Sequence, residues 1–259
     1  KKNLSKLEIR KACRDYAMKF VEIQREEFKR LGILGDWERP YLTMSRDYEA
    51  AIAREFGRFA AQGAIHKGQR PVLWCPHCRT ALADAEVEYE EHESPSIYVR
   101  FPMVSDLAGL FPRLKGKTVS IIIWTTTPWT LPANLALALH DNYDYVILPF
   151  RDEFVIVANQ LADKFAEIFE LKEREPVYRF PGRKLEKLLG RHPFLPRTSM
   201  VVLSDHVTMD IGTGCVHIAP GHGEEDYEVG LRYKLKTLTP VDSEGRLTWD
   251  QAREMQASG

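Results

Sequence analysis

No stretch of 18 apolar residues occurs in this 259-residue chain, which excludes a simple membrane-spanning helix. The longest apolar run lies near Ile121-Ile122-Ile123-Trp124. The start, Lys1-Lys2-Asn3-Leu4, lacks the apolar stretch of a secretory signal and lacks Met, so the chain reads as an excised piece or a processed product. Cysteine is scarce. Cys13, Cys75, Cys78 and Cys215 do not have the spacing of a secreted disulfide framework, and a reducing cytoplasm is the simpler setting. A charge excess is also missing: 36 Lys and Arg stand against 37 Asp and Glu, for a net charge of −1. A dedicated nucleic-acid module would be clearly basic. Any RNA partner must therefore meet a local basic surface, or be held mainly by other domains. No Gly-x-Ser-x-Gly elbow occurs, which argues against an α/β-hydrolase. The phosphate-loop pattern and the His-Glu-x-x-His zinc motif are missing as well. There is no internal repeat and no low-complexity segment.

What is present suffices for a real core, since 44% of the residues are hydrophobic. Residues 4–31 read as an amphipathic helix with Cys13, Tyr16, Ala17, Phe20, Ile23, Phe28 and Leu31 on one face. A second helix starts near Ser45 or Asp47, turns Tyr48, Ile52, Phe56 and Phe59 inward, and stops at Gly63. From Ala64 the pattern becomes extended. Strands are expected at 71–74, 96–101, 118–124, 145–148, 154–157, 200–203 and 215–218. Asn159 is expected to cap a helix that runs to about Glu170 and buries Leu161, Phe165, Ile168 and Phe169. A short helix is expected over 224–233. The fold class is α+β: an N-terminal helical pair over 1–63, a Cys-x-x-Cys connector over 64–92, a mostly β, barrel-like domain with peripheral helices over 93–245, and a polar tail over 246–259.

Two segments concentrate chemistry. The first is Trp124-Thr125-Thr126-Thr127-Pro128-Trp129-Thr130-Leu131-Pro132-Ala133-Asn134, at the end of a buried strand. Its two prolines prevent a continuing helix or central strand. Its four hydroxyls and one amide can hold a carbonyl, a ribose hydroxyl or a water, or can simply satisfy the turn's own backbone. The second is Gly212-Thr213-Gly214-Cys215-Val216-His217-Ile218-Ala219-Pro220-Gly221-His222-Gly223-Glu224-Glu225-Asp226-Tyr227. Its glycines allow close backbone approach or positive φ. A carboxylate such as Asp226 suits an α-ammonium group, though acidic residues in a first helical turn also complement the helix dipole. His217, His222 and Asp226 could alternatively make a three-ligand metal-hydrolase site. Cys215 and His217, two apart on one strand face, are poorly placed for in-line proton abstraction. Cys75-Pro76-His77-Cys78 is half of a zinc knuckle, with no second Cys-x-x-Cys to complete four ligands. Residues 172–197 are locally basic, and Tyr178, Phe180 and Phe194 among them could touch an RNA backbone or a splayed nucleotide.

In order and spacing, Trp124 to Asn134 resembles the threonine-rich peptide of isoleucyl-tRNA synthetase editing domains. Gly212 to His217 through Gly221 to Tyr227 resembles their second signature. Leu31 to Met44 and Trp74 to Leu82 resemble the segments that lead into that domain. Valyl and leucyl relatives typically carry an Arg-Pro pairing where this chain has Thr127-Pro128-Trp129, which favours the isoleucyl type. The resemblance implies a mostly β editing domain inserted in the parent synthetase's core. It implies hydrolysis of the ester that joins valine to the 3′ acceptor end of tRNA(Ile), with no cofactor for editing and a structural zinc at most in the full-length enzyme. Asp226 would bind the α-ammonium group. Thr125, Thr126, Thr127 and Asn134 would contact the terminal ribose and the water. Trp129, Thr130, His217 and His222 would shape a pocket that admits valine and excludes isoleucine. A single methylene gives limited discrimination in an apolar pocket, for which the isoleucine and valine enzymes are themselves the standard example. Overpacking rejects the larger side chain more strongly. The ATP-site signatures of the family are missing, so neither ATP binding nor ligase activity is expected of this piece. A cytoplasmic monomer with no membrane contact is expected. A non-catalytic tRNA-binding module stays open as the alternative to catalysis, beside the metal hydrolase.

Overall fold

Val119-Ser-Ile-Ile-Ile-Trp-Thr125 is apolar on both alternating faces, the pattern of a strand covered on both sides. The computed structural model, described here for residues 4–248, shows how that cover is supplied. The chain divides into two compact units, 1–68 and 69–259.

The first unit holds α1 (Lys6–Arg30) and α2 (Arg46–Ala61). Ser5 starts α1 with a capping box: its hydroxyl accepts the Glu8 N–H, and the Glu8 carboxylate accepts the Ser5 N–H at 2.8 Å. Ser45 caps α2 through the Tyr48 N–H. Arg14 ties the helices together by donating to the Met44 carbonyl at 2.7 Å and pairing with Glu49 at 2.9 Å. The expected inward face of α2 is not buried in this unit, because Ile52, Phe56 and Phe59 are 57 to 61% exposed. Two helices alone supply no further layer to cover it.

The second unit begins with a two-stranded hairpin, β1 (Trp74–Cys75) and β2 (Thr80–Ala81), which carries the Cys-x-x-Cys knuckle. Then follow β3 (Ile97–Pro102), β4 (Val119–Thr125), β5 (Ala136–Leu139), β6 (Asp144–Phe150), β7 (Glu153–Ala158), α3 (Ala162–Ile168), β8 (Tyr178–Pro181), β9 (Leu189–Arg191), β10 (Thr198–Leu203), β11 (Val216–Ile218) and α4 (Glu224–Tyr233). Five strands form one sheet in the order β3-β4-β7-β6-β8, and four form another in the order β11-β5-β10-β9. Each is antiparallel except for one parallel pair, β4 with β7 and β5 with β10.

The period-two pattern places the layers. Ile121, Ile123, Tyr145, Ile147 and Ile156 of the larger sheet share a core with Leu137, Leu139 and Val201 of the smaller. The intervening Ile122, Val146, Leu148, Val155 and Val157 pack on Phe165 of α3. On the smaller sheet, Ala136, Ala138, Val202 and Ile218 pack on Val229 of α4. The layers therefore run α3, five strands, four strands, α4. The expected α+β, mostly β fold is present, and among the described residues its sheets do not close into a barrel. The two sheets are linked at the β3 end by the Met103–Gly190 bridge and by the Val104 N–H on the Leu189 carbonyl. The expected cap Asn159 instead begins a short 3-10 turn without a side-chain cap, and Ile168 is 49% exposed, not buried. Of the polar tail, residues from 249 onward lie outside the described residues.

Candidate active site

The threonine-rich segment leaves the buried β4 at Thr125 and folds into a 3-10 turn, Pro128–Ala133. Thr125 Oγ1 accepts the Thr127 N–H at 3.1 Å and lies 3.3 Å from the Thr127 hydroxyl, so the first threonine closes the turn that follows it. Thr130 donates its hydroxyl to the Thr127 carbonyl at 2.9 Å. That leaves a Thr130 lone pair toward His217 Nε2, 3.0 Å away. The network assigns the proton to Nε2 and leaves His217 Nδ1 as an acceptor. This Nδ1 is buried without a partner, as is His222 Nε2.

His217 reaches the turn from β11, which pairs with β5 in the register His217 to Leu137. Burial lowers its basicity to about 4, with smaller contributions from His192 and His222, so the ring is neutral at pH 7. Burial also lowers His222. Two residues beyond His217, the Ala219 N–H donates to Asp226 Oδ2 at 2.8 Å. Burial raises the Asp226 carboxyl from its ordinary value, opposed by that hydrogen bond and by His206. The two signature segments thus meet at the Thr130–His217 contact, and Asp226 is held at the end of the same strand by the Ala219 N–H.

A cleft of about 200 Å³ opens beside them, lined by Trp124, Thr125, Thr126, Thr208, Ile211 and the backbone from Gly212 to Val216. Gly214 has φ +68°, and an added Cβ would sit 2.3 Å from Ala158 Cβ, so both the turn and the close approach require glycine there. A larger hollow of about 760 Å³ lies within the helical unit among Leu7, Cys13, Met44 and Glu49.

The structure separates the sequence-derived site residues. Thr125 and Thr126 line the cleft, and Thr127, Thr130 and His217 form the hydrogen-bonded chain next to it. Trp129 is 59% exposed. Asn134 is fully buried and does not present its amide to a ligand: it donates to the Ala136 carbonyl at 2.8 Å and accepts the Ser199 hydroxyl at 2.5 Å. Its expected ribose or water contact is replaced by a structural one. Thr208 and Ile211 were not singled out in the sequence. They lie outside both dense segments, and only the folded chain brings them to the cleft.

The other candidates separate equally. Cys215 is buried and its thiol is pushed up by burial, which does not suit a nucleophile. Among the described residues no three His, Cys, Asp or Glu side chains converge as a metal-binding group, so His217, His222 and Asp226 are not a ligand set. Cys75 Sγ accepts the Cys78 N–H at 3.3 Å, which lowers its thiol and gives a knuckle-like turn, but among the described residues no group of three or more ligands forms there to fit a closed zinc site. In the basic stretch Lys172, Arg174, Arg179, Arg183, Lys184, Lys187 and Arg191 are exposed. Phe180 is buried and Tyr178 packs on Phe111, so those two rings are not free to stack on bases. Among the described residues no helix is long and apolar enough to cross a membrane.

Residues 1–229 match the family model of the tRNA synthetases class I (I, L, M and V). The chain belongs to the class I tRNA synthetases. Among its relatives, the isoleucine–tRNA ligases of Fervidobacterium pennivorans and Geobacter sulfurreducens are each 54% identical to it, over 247 and 246 residues. Both alignments cover 95% of this chain and 26% of the relative, so this synthetase chain spans about a quarter of the length of the curated relatives it matches. Among solved structures, GlLeuRS-CP1 is similar at a TM-score of 0.46 and 18% identity, over 55% of this chain and 66% of that one. The P. falciparum cytosolic leucyl-tRNA synthetase editing domain gives 0.45 and 13%, over 54% and 67%.

Proposed function

We propose that this synthetase chain is an editing hydrolase that removes valine from tRNA(Ile). The observation that carries the reading is the Thr130–His217 contact, which joins two polar segments far apart in sequence beside a small cleft. A cleft of about 200 Å³ is smaller than the usual ligand pocket of about 300–1,000 Å³ and suits an aminoacyl group, not a whole nucleotide. The 54% identity to isoleucine–tRNA ligases points to tRNA(Ile) as the carrier.

In the proposed reaction a water oxygen adds to the ester carbonyl carbon, the carbon–oxygen bond to the terminal ribose breaks, and the water proton passes to the departing ribose oxygen. Free valine and the tRNA 3′ hydroxyl result. Asp226 holds the α-ammonium group through a charge-assisted hydrogen bond. Thr125, Thr126 and Thr127 orient the ester and the water. Neutral His217, with an unpartnered Nδ1, offers an acceptor for a water or ribose hydroxyl. Trp129, Thr130 and His222 bound the valine pocket. The exposed basic side chains between 172 and 191 meet the tRNA backbone, whose remaining affinity comes from the rest of the synthetase. The chain acts as a cytoplasmic monomer, without a metal in the editing step.

Deacylation of Val-tRNA(Ile) and Ile-tRNA(Ile) with and without a chelator tests this. Valine release well above the buffer rate, slow isoleucine release and indifference to chelator are expected. Chelator-sensitive release would favour a metal hydrolase, and tRNA binding without release would favour a binding module.

A further inference from the structure

The turn that carries Thr130 closes with the Thr130 N–H on the Thr127 carbonyl and the Asn134 N–H on the Leu131 carbonyl, while Pro128 and Pro132 have no N–H to add. It is further held from outside, by the β9–β10 hairpin. His192, only 2% exposed, accepts the N–H groups of Phe194 and Leu195 at Nδ1, at 3.4 and 3.1 Å. That leaves Nε2–H to donate to the Leu131 carbonyl at 2.9 Å. Arg197 Nη2 donates to the next carbonyl, Pro132. Ser199, fully buried, donates to Asn134, whose amide is in turn fixed on Ala136. Three polar side chains of one hairpin therefore meet three acceptors within four residues of the turn. An apolar hairpin tip could fill the same space. What the polar side chains add is direction, since each hydrogen bond fixes the rotation of one group.

We infer that the β9–β10 hairpin, through His192 and Arg197 of its connection and Ser199 of β10, is the positioning element that holds the Pro128–Ala133 turn where Thr130 meets His217. None of the three touches substrate in this scheme; they act through Leu131, Pro132 and Asn134. Burial holds His192 neutral, lowered to about 4, so its donor arrangement does not change between pH 5 and 8. The role in editing rests on the function proposed above, but the positioning itself does not.

The test uses the full chain with Ser199→Ala and Arg197→Met, neither of which contacts His217. Imidazole nitrogen NMR should show His217 neutral in the wild type with a midpoint near pH 4. In the variants, a loosened turn admits water and the midpoint should climb toward 6.5. Deacylation of Val-tRNA should fall on the order of ten- to a hundredfold in kcat, with KM changed less than about twofold, as for misplacement of a reacting geometry. A folded variant with the wild-type His217 midpoint overturns the inference. If Ser199→Ala does not fold, Arg197→Met decides, because Arg197 is only partly buried. If the wild type releases no valine, the proposed function fails while the imidazole midpoint still decides this inference.

Discussion

Replacing Asp226 by Asn removes a charge while leaving nearly the same shape. The Asn carbonyl can still accept the Ala219 N–H that now binds Oδ2 at 2.8 Å, so the start of α4 should stay in place. Burial raises this carboxyl, which means that the ionised form costs stability in the folded state. Asp226→Asn should therefore leave the melting temperature equal or slightly higher. Binding of the substrate ammonium loses its charge-assisted partner. A hydrogen bond to a charged group contributes about 1.5–3 kcal/mol, and each 1.4 kcal/mol is about tenfold, so valine release should slow roughly 10- to 100-fold. The assay is deacylation of Val-tRNA(Ile) by wild type and variant, alongside N-acetylvalyl-tRNA, which has no ammonium group. The wild type should lose a similar factor on the acetylated substrate, and the variant should scarcely distinguish the two. An Asp226→Asn rate within twofold of wild type on Val-tRNA would refute the ammonium role. So would an equal acetylation penalty in both proteins.

Further outcomes follow from the same geometry. Gly214→Ala places a Cβ 2.3 Å from Ala158 Cβ at a positive φ, and should cost about 2–5 kcal/mol from overpacking plus left-handed strain, read as a lower denaturant midpoint for the β unit. His192 and His217 are both held near 4 against 6.5 when unfolded. Their lowered values stabilise the fold above pH 6.5, and that contribution is lost as pH falls from 6.5 to about 4. It amounts to on the order of 3 kcal/mol for each ring, and urea midpoints across that range should fall accordingly, less steeply in His192→Gln. Ser120 donates to the buried Glu153 carboxylate at 2.9 Å, with Arg100 on its other oxygen. Ser120→Ala should cost about 1–3 kcal/mol in thermal unfolding by leaving that oxygen short of a donor. Trp129→Ala, at an exposed position, should change stability by no more than about 0.5 kcal/mol, so a change in the valine-to-isoleucine rate ratio would report on the pocket itself.

The alternation of β-branched residues made β4, β6 and β7 legible, and Ser45 marked the start of α2. Strand β5 was not, because Leu135-Ala-Leu-Ala-Leu139 has no polar alternation and follows a proline-rich turn. Strands β8 and β9 were hidden in a stretch whose charge pattern reads as surface. The α+β, mostly β character was legible, but not the arrangement of the sheets, because period two says that a strand has two covered faces, not what covers them. Here those covers are α3, α4 and the second sheet. At the site, the glycines, threonines and histidines marked both segments, whereas the burial of Asn134 depends on Ser199, which is 65 residues away. Composition carries no signal for such a pairing. The polar grip of His192 and Arg197 on Leu131 and Pro132 was equally invisible, since backbone carbonyls leave no trace in side-chain chemistry.

The most direct test of the account compares the rates at which this chain releases valine and isoleucine from tRNA(Ile). Val-tRNA(Ile) should be hydrolysed well above the buffer rate while Ile-tRNA(Ile) stays close to it. Equal release of both amino acids, or release of neither, would contradict it.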